Sequence, residues 1–111
     1  MTRVLLRTAA PVDRQDAVDR WVAAHPEGRR AILTEGFGSF TTPHGIAVAR
    51  LGGGCVCCVG QVALRIALTR LMRAERPEHL LLLLADNQHL PRIRSLLTDG
   101  SLGVRLELEE T

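Results

Sequence analysis

Short apolar runs alternate with segments of helical spacing along the chain, and this pattern predicts an α/β fold. The predicted strands are Arg3–Arg7, Ala31–Thr34, Ile46–Leu51, Leu80–Leu84 and Val104–Glu110. The predicted helices are Asp13–Ala24, Gln61–Glu75 and Pro91–Thr98. We therefore expect one domain over residues 1–111, a three-layer sandwich of about five mostly parallel strands with helices on both faces.

Individual patterns place particular residues inside or outside the core. Leu80–Leu84 is leucine at every position, as in a central strand covered on both faces. Val104–Glu110 alternates apolar and polar residues, which predicts a half-exposed strand at the sheet edge. Helical spacing puts Arg14 on a polar side of the first helix and Ile66 on the buried side of the second. The turn-forming residues of Glu35–Gly45 predict a loop.

Composition narrows the functional classes. All 14 basic residues are arginine, so chemistry that needs a lysine ammonium, such as a Walker A phosphate site or a Schiff base, is excluded. A net charge of +2 gives no broad basic field for nucleic acid. The longest apolar run, Leu80–Ala85, is too short to cross a bilayer, and the N-terminal segment lacks the pattern of a signal peptide. We therefore expect a cytoplasmic protein with reduced thiols and no membrane contact.

All three cysteines, Cys55, Cys57 and Cys58, lie within four residues in the sequence GGGCVCC. The segment falls between a predicted strand and a predicted helix, where backbone N–H groups and the helix dipole lower the thiol pKa. Clustered thiolates are ligands for Zn²⁺ or Cu⁺. A closed zinc site needs four ligands, so the fourth would come from Glu35, His44, another chain or water. This shortage favours an exchangeable site; a redox pair and a packed turn without chemical function are the alternatives.

The other histidines give weaker signals. His25 stands before Pro26 at a predicted helix end, where we expect it to be solvated. His79 opens the leucine strand and is expected to be structural. His89 follows that strand at its carboxyl end, where α/β proteins commonly place their sites, and is a further candidate.

The order of these features resembles the first half of the CobW-type P-loop GTPases, a family of metallochaperones marked by a GGCxCC motif. Residues 53–58 match that motif completely, while Glu35 and Gly38 match the family's upstream Asn-Glu-x-Gly segment with a one-residue insertion. Pro77 and Pro91 flank the leucine strand, as prolines do in the family. The resemblance extends over most of the chain, and strong identity is confined to the cysteine turn.

Three nucleotide-binding elements of that family are missing here. Where the family has GxxGxGKT after the first strand, residues 8–15 are TAAPVDRQ, without a glycine cradle, a lysine or a magnesium-binding hydroxyl. The family's downstream glutamate and glycine fall on Leu84 and Asn87, and the chain ends before a guanine-reading Asn-Lys-x-Asp segment. The resemblance therefore implies half of a P-loop GTPase-like domain that binds no GTP and is not an enzyme.

What the resemblance implies for function is metal handling. Cys55, Cys57 and Cys58 would bind Zn²⁺ with Glu35 as a helper, in an accessory protein of metal homeostasis that acts as a carrier, buffer or sensor. The alternative is a non-catalytic module that docks on a full-length relative or on a larger assembly such as the ribosome. Its candidate contacts are arginines: Arg92, Arg94 and the stripe of Arg65, Arg73 and Arg76. The partners expected are a metal ion and a protein client or a second copy of the chain. Nucleic acid is expected only within a ribosome-type assembly.

Overall fold

The computed structural model describes residues 2–35, 40–51, 59–84, 90–100, 102–103 and 105–109, with residues 59–62 described by their backbone alone. The strands are β1 (Thr2–Thr8), β2 (Arg30–Glu35), β3 (Ala47–Leu51), β4 (His79–Leu84) and β5 (Leu106–Glu109). The helices are α1 (Arg14–Ala24), α2 (Val59–Glu75) and α3 (Leu90–Thr98), and a 3₁₀ turn, Pro11–Asp13, precedes α1. Each strand and helix predicted from the hydrophobic pattern is confirmed, with small shifts at the ends.

The strands of the described residues form one parallel sheet in the order β3-β2-β4-β1-β5. β4 lies at the centre, and Leu80–Leu84 are at most 1% exposed, which explains why this strand is apolar at every position. β5 pairs with β1 at one edge of the sheet, as its alternating pattern predicts.

Helices cover both faces of the sheet, and each face has its own apolar core. On one face α1 packs against the sheet in a cluster of Leu5, Ala17, Val18, Trp21, Ile32, Ile46, Leu81 and Leu83. On the other face α2 and α3 share a larger cluster that includes Val4, Leu33, Leu64, Leu68, Leu80, Leu82, Ile93 and Leu96. The predicted α/β three-layer sandwich is thereby confirmed. No helix in the described part of the chain is long and apolar enough to span a bilayer.

The buried stripe of α2 differs from the prediction at one position. Leu64, Leu68, Leu71 and Met72 face the sheet, whereas Ile66 is 47% exposed. Buried positions at i, i+4, i+7 and i+8 form one stripe, and a residue two positions after Leu64 lies about 200° around the helix from it. The prediction that Ile66 is buried is therefore wrong.

The order of the connections between strands indicates at which point along the sheet a ligand would bind. β1 continues through α1 to β2 in one direction, and β4 continues through α3 to β5 in the other. Right-handed crossovers that run in opposite directions use opposite faces, and α1 and α3 do lie on opposite faces. Because β1 and β4 are neighbours, the sheet has a topological switch point between them. Open α/β sheets bind ligands outside the carboxyl ends of the strands at such a point.

Candidate metal centre

The cysteine segment is flanked by a strand end and a helix start. β3 ends at Leu51 and α2 begins at Val59, which confirms the elements predicted on either side. Cys55, Cys57 and Cys58 lie outside the described residues. Their assignment as metal ligands stays a prediction.

Glu35 is the predicted ligand that the structure places beside this segment. It is the half-buried last residue of β2, and its register partner on β3 is Leu51, the residue before the three glycines. Neighbouring strands lie about 4.8 Å apart. The backbone of Glu35 is therefore next to the point where the cysteine segment begins, which fits the predicted helper role.

His44 lies before the other end of β3. It precedes Ala47, the first residue of the strand, and its side chain is exposed. Four residue steps along β3 cover about 13 Å, and this length separates the start of the strand from Leu51. The described residues give no support to His44 as a ligand, and that role stays a prediction.

Arg14 is a buried cation near the end of β2. It is 0% exposed, and its Nη1 donates a 2.5 Å hydrogen bond to Oγ1 of Thr34. Its Nε and Nη2 are buried without a hydrogen-bond partner among the described residues. The expectation that Arg14 lies on a polar side of the helix is wrong, because Arg14 shares the i, i+3, i+4, i+7 stripe of Ala17, Val18 and Trp21, which the helix turns towards the sheet.

Charged neighbours act on this buried guanidinium. Burial lowers the pKa of Arg14, the Glu35 carboxylate acts in the opposite direction, and Arg50 lowers it again. Arginine stays protonated at neutral pH. Arg50 itself lies over the ring of Phe40, with 5.2 Å between its guanidinium carbon and the ring centroid. Positive charge is thus held near the ends of β2 and β3, and positive charge close to a thiol favours the thiolate.

Three backbone N–H groups in the connection after β1 and at the start of α1 bond to carbonyls of the protein. Ala9 N–H donates to the Leu84 carbonyl at 2.9 Å, and Asp13 N–H donates to the carbonyl three residues earlier at 2.8 Å. Arg14 N–H donates to the carbonyl of Pro11, which has no N–H of its own. Phosphate cradles depend on free N–H groups aimed at the ligand. These donors are already engaged.

An open cleft of about 270 Å³ lies beside this connection and the first turns of α1. Its lining includes Arg7 and Arg20 together with Asp13 and Asp16. Arg20 and Asp16 form an ion pair at 3.1 Å. The mixture of charges gives the cleft no consistent attraction for a chain of phosphates.

A second group of metal-ligand side chains lies near the amino end of β4. His25 follows α1, His79 begins β4 and Glu109 ends β5; each offers one ligand atom, and these atoms lie within 4.8 Å of one another. Nε2 of His25 is 3.7 Å from Oε2 of Glu109, and the two imidazole centroids are 4.3 Å apart. The His25 side chain is 16% exposed, so the expectation that it is solvated is wrong.

The protonation of this group follows from its surroundings. His25 Nδ1 lies 3.0 Å from the Trp21 carbonyl oxygen. A carbonyl only accepts, so Nδ1 carries the proton and the neutral ring has its lone pair on Nε2. Burial lowers the pKa of His79, and His25 lowers it further, while Glu109 and Glu78 act in the opposite direction and Arg3 adds to the lowering. The neutral form of His79 is therefore favoured at neutral pH.

This group was not predicted from the sequence, because its members are distant in the chain. His79 and Glu109 come together because β1 separates β4 from β5 by a single strand, and His25 joins them because α1 ends over the same part of the sheet. The sequence contained two signals: His25 at the end of the first helix, and His79 at the start of the leucine strand. The strand order that brings these residues together cannot be predicted from a local sequence pattern.

The arginines considered as protein contacts lie at the surface. Arg92 and Arg94 on α3, and Arg65 and Arg73 on α2, are exposed. His89 lies outside the described residues. Exposure alone does not indicate a partner, so the interaction module stays a prediction.

Comparison with protein-family models, with curated proteins and with solved structures finds no match to this chain. The resemblance to the CobW-type GTPases therefore rests on the cysteine motif and the flanking positions, and it stays a hypothesis. Parallel α/β sandwiches host many unrelated functions. A functional proposal has to come from the side chains.

Proposed function

We propose that the protein is a zinc-binding accessory protein of metal homeostasis, a carrier, buffer or sensor that acts without GTP hydrolysis. The observation that carries this proposal is the clustering of three thiols in the seven residues between the end of β3 and the start of α2. Three thiolates hold Zn²⁺ with one coordination position left for an exchangeable ligand. Release of the metal is then coupled to protonation of the thiolates.

Two described features support this proposal. The backbone of Glu35 pairs with Leu51, the residue that precedes the cysteine segment. Its carboxylate is suitable as a fourth zinc ligand. The charges of Arg14 and Arg50 favour thiolate over thiol in their neighbourhood.

The absence of GTP chemistry from the proposal is supported by the connection after β1. The N–H groups of Ala9, Asp13 and Arg14 bond to protein carbonyls. The side chain of Arg14, which stands where the family's phosphate-binding lysine would, bonds Thr34 inside the core. We expect labelled GTP not to bind. Micromolar, magnesium-dependent binding would overturn this part of the proposal.

The test is metal content by elemental mass spectrometry on protein purified anaerobically without added metal. The wild type is compared with the triple variant Cys55→Ser, Cys57→Ser, Cys58→Ser. Replacement of the bound metal by Co²⁺ adds a specific readout, because thiolate ligands give intense charge-transfer absorption that nitrogen and oxygen ligands lack. We expect this absorption in the wild type and its complete loss in the triple variant.

Stoichiometry separates the competing interpretations. About one thiolate-bound metal per chain supports a site within the chain, and about half supports a site shared across a dimer. Reduced wild-type protein that binds neither Zn²⁺ nor Co²⁺ through its thiols contradicts metal handling. That result would favour the interaction module, in which the glycine–cysteine segment is a turn without ligands.

A further inference from the structure

The group formed by His25, His79 and Glu109 lies apart from the residues of the proposed zinc site. The cysteine segment follows the carboxyl end of β3, whereas His79 is the first residue of β4. Six residues of parallel strand span about 17 Å, so the two regions lie towards opposite ends of the sheet. We propose that His25, His79 and Glu109 form a second metal site, which binds a divalent transition metal such as Zn²⁺ through two imidazoles and one carboxylate.

The distances are close to those that such an ion needs. Zn–N and Zn–O bonds of about 2.0–2.1 Å in a tetrahedron place neighbouring ligand atoms about 3.3 Å apart. His25 Nε2 and Glu109 Oε2 are already at 3.7 Å, and all three ligand atoms lie within 4.8 Å of one another. The ligand atoms have to approach one another by about 0.4–1.5 Å to reach that separation. Two histidines, one glutamate and an open fourth position are a known arrangement for zinc.

A hydrogen bond orients His25, and an ion pair orients Glu109. Nδ1–H of His25 donates to the Trp21 carbonyl, which leaves Nε2 available on the side of Glu109. Ligating histidines commonly have this kind of second contact, which fixes the tautomer and the ring orientation. Arg3 lies 3.7 Å from Oε1 of Glu109, so the other carboxylate oxygen is the one directed at His25.

His79 is available as a ligand at neutral pH. Its Nδ1 is buried without a hydrogen-bond partner among the described residues, so no described protein group competes for that nitrogen. Burial also favours its neutral form, which is the form that binds metal. The positive charge of Arg3 opposes a bound cation, and Glu107, 3.7 Å from Arg3 Nε, offsets part of that charge.

Metal and proton compete for the same atoms. Imidazole and carboxylate bind metal in their deprotonated forms, so Zn²⁺ uptake at this site weakens at acid pH.

The experiment uses the full chain in the triple variant Cys55→Ser, Cys57→Ser, Cys58→Ser, which removes every thiolate. Glu109→Gln is compared in this background with Glu107→Gln. These two residues are a matched pair, because both lie on β5 and both approach Arg3 at 3.7 Å. Zn²⁺ alone is titrated by calorimetry at a chain concentration on the order of 50 µM, where a Kd of about 5 µM gives nearly full occupancy. The imidazole nitrogen signals are followed by NMR.

We expect about one Zn²⁺ per chain in the triple variant and in its Glu107→Gln derivative. Glu109→Gln should bind Zn²⁺ at least about tenfold more weakly, since even partners outside the ligand set change metal affinity 10–100-fold. The nitrogen signals of His25 and His79 should shift, and that of His44 should not.

Three results would overturn the proposal. The first is no Zn²⁺ uptake by the folded triple variant, the second is equal affinity in the two glutamine variants, and the third is a shift confined to other histidines. The failure of the thiolate site is recognised separately, by the absence of thiolate-to-cobalt absorption in the wild type. The two proposals therefore stand or fall independently.

Discussion

Replacing Arg14 with methionine tests the energetic meaning of its burial. The guanidinium is 0% exposed, and only Nη1 has a partner, the Thr34 hydroxyl, among the described residues. Methionine fills a similar volume and adapts to irregular gaps, and it removes the two donors without a partner. It also takes from the buried Thr34 hydroxyl its hydrogen bond to Arg14. The substitution also removes a positive charge near the end of β2, which under the proposed function favours the thiolates of the cysteine segment.

The magnitude follows from three polar groups. Relief of the two buried donors, Nε and Nη2 of Arg14, is worth about 1–3 kcal/mol each. Loss of the charged hydrogen bond, which leaves the buried Thr34 hydroxyl without that donor, costs about 1.5–3 kcal/mol. The central values leave Arg14→Met about 1–2 kcal/mol more stable than the wild type, in line with buried charges whose replacement by apolar side chains is neutral or stabilising.

Urea denaturation of the metal-free protein measures this difference as a higher midpoint with an unchanged m-value. The matched control is Arg20→Met, an exposed arginine of the same helix that pairs with Asp16, which should change the free energy of unfolding by less than about 0.5 kcal/mol. An Arg14→Met protein that is less stable by about 1 kcal/mol or more would refute the reasoning, because Nε and Nη2 would then be satisfied in solution. If the charge also supports the thiolates, the same variant binds Zn²⁺ more weakly.

Two further predictions concern pH and packing. The folded-state pKa of His79 lies below its unfolded value, because burial penalises the imidazolium; stability is therefore lost as the pH falls from about 6.5 towards that lower pKa, and His79→Gln should flatten this part of the profile in urea denaturation at a series of pH values. A profile that keeps its slope in His79→Gln would contradict this account. Leu82→Ala removes a 0% exposed side chain of the central strand and should cost about 2–5 kcal/mol, whereas Ile66→Ala, at a 47% exposed position, should cost less than about 1 kcal/mol. Equal thermal shifts in these two variants would contradict the burial assigned to Leu82 and the exposure assigned to Ile66.

The strands and helices could be predicted from local patterns in the sequence. The leucine run of β4 is apolar at every position because both of its faces are covered, and the alternation in β5 follows from its place at the edge. Such patterns are local, since burial on one side or on both sides sets the residue type at each step. The clustering of Cys55, Cys57 and Cys58 was equally visible without a structure, because those residues are neighbours in the chain.

Which distant residues come into contact depends on the tertiary structure. His25, His79 and Glu109 form a group because the strand order brings β4 and β5 to either side of β1 and because α1 ends over them. Arg14 is buried where its Nη1 donates to the Thr34 hydroxyl on β2. This contact cannot be predicted from the position of a charged residue at the start of a helix. Hydrophobic periodicity shows which side of a helix or strand packs against the apolar core. The partner of a polar side chain depends on strand order and register, and these are determined by contacts across the whole chain.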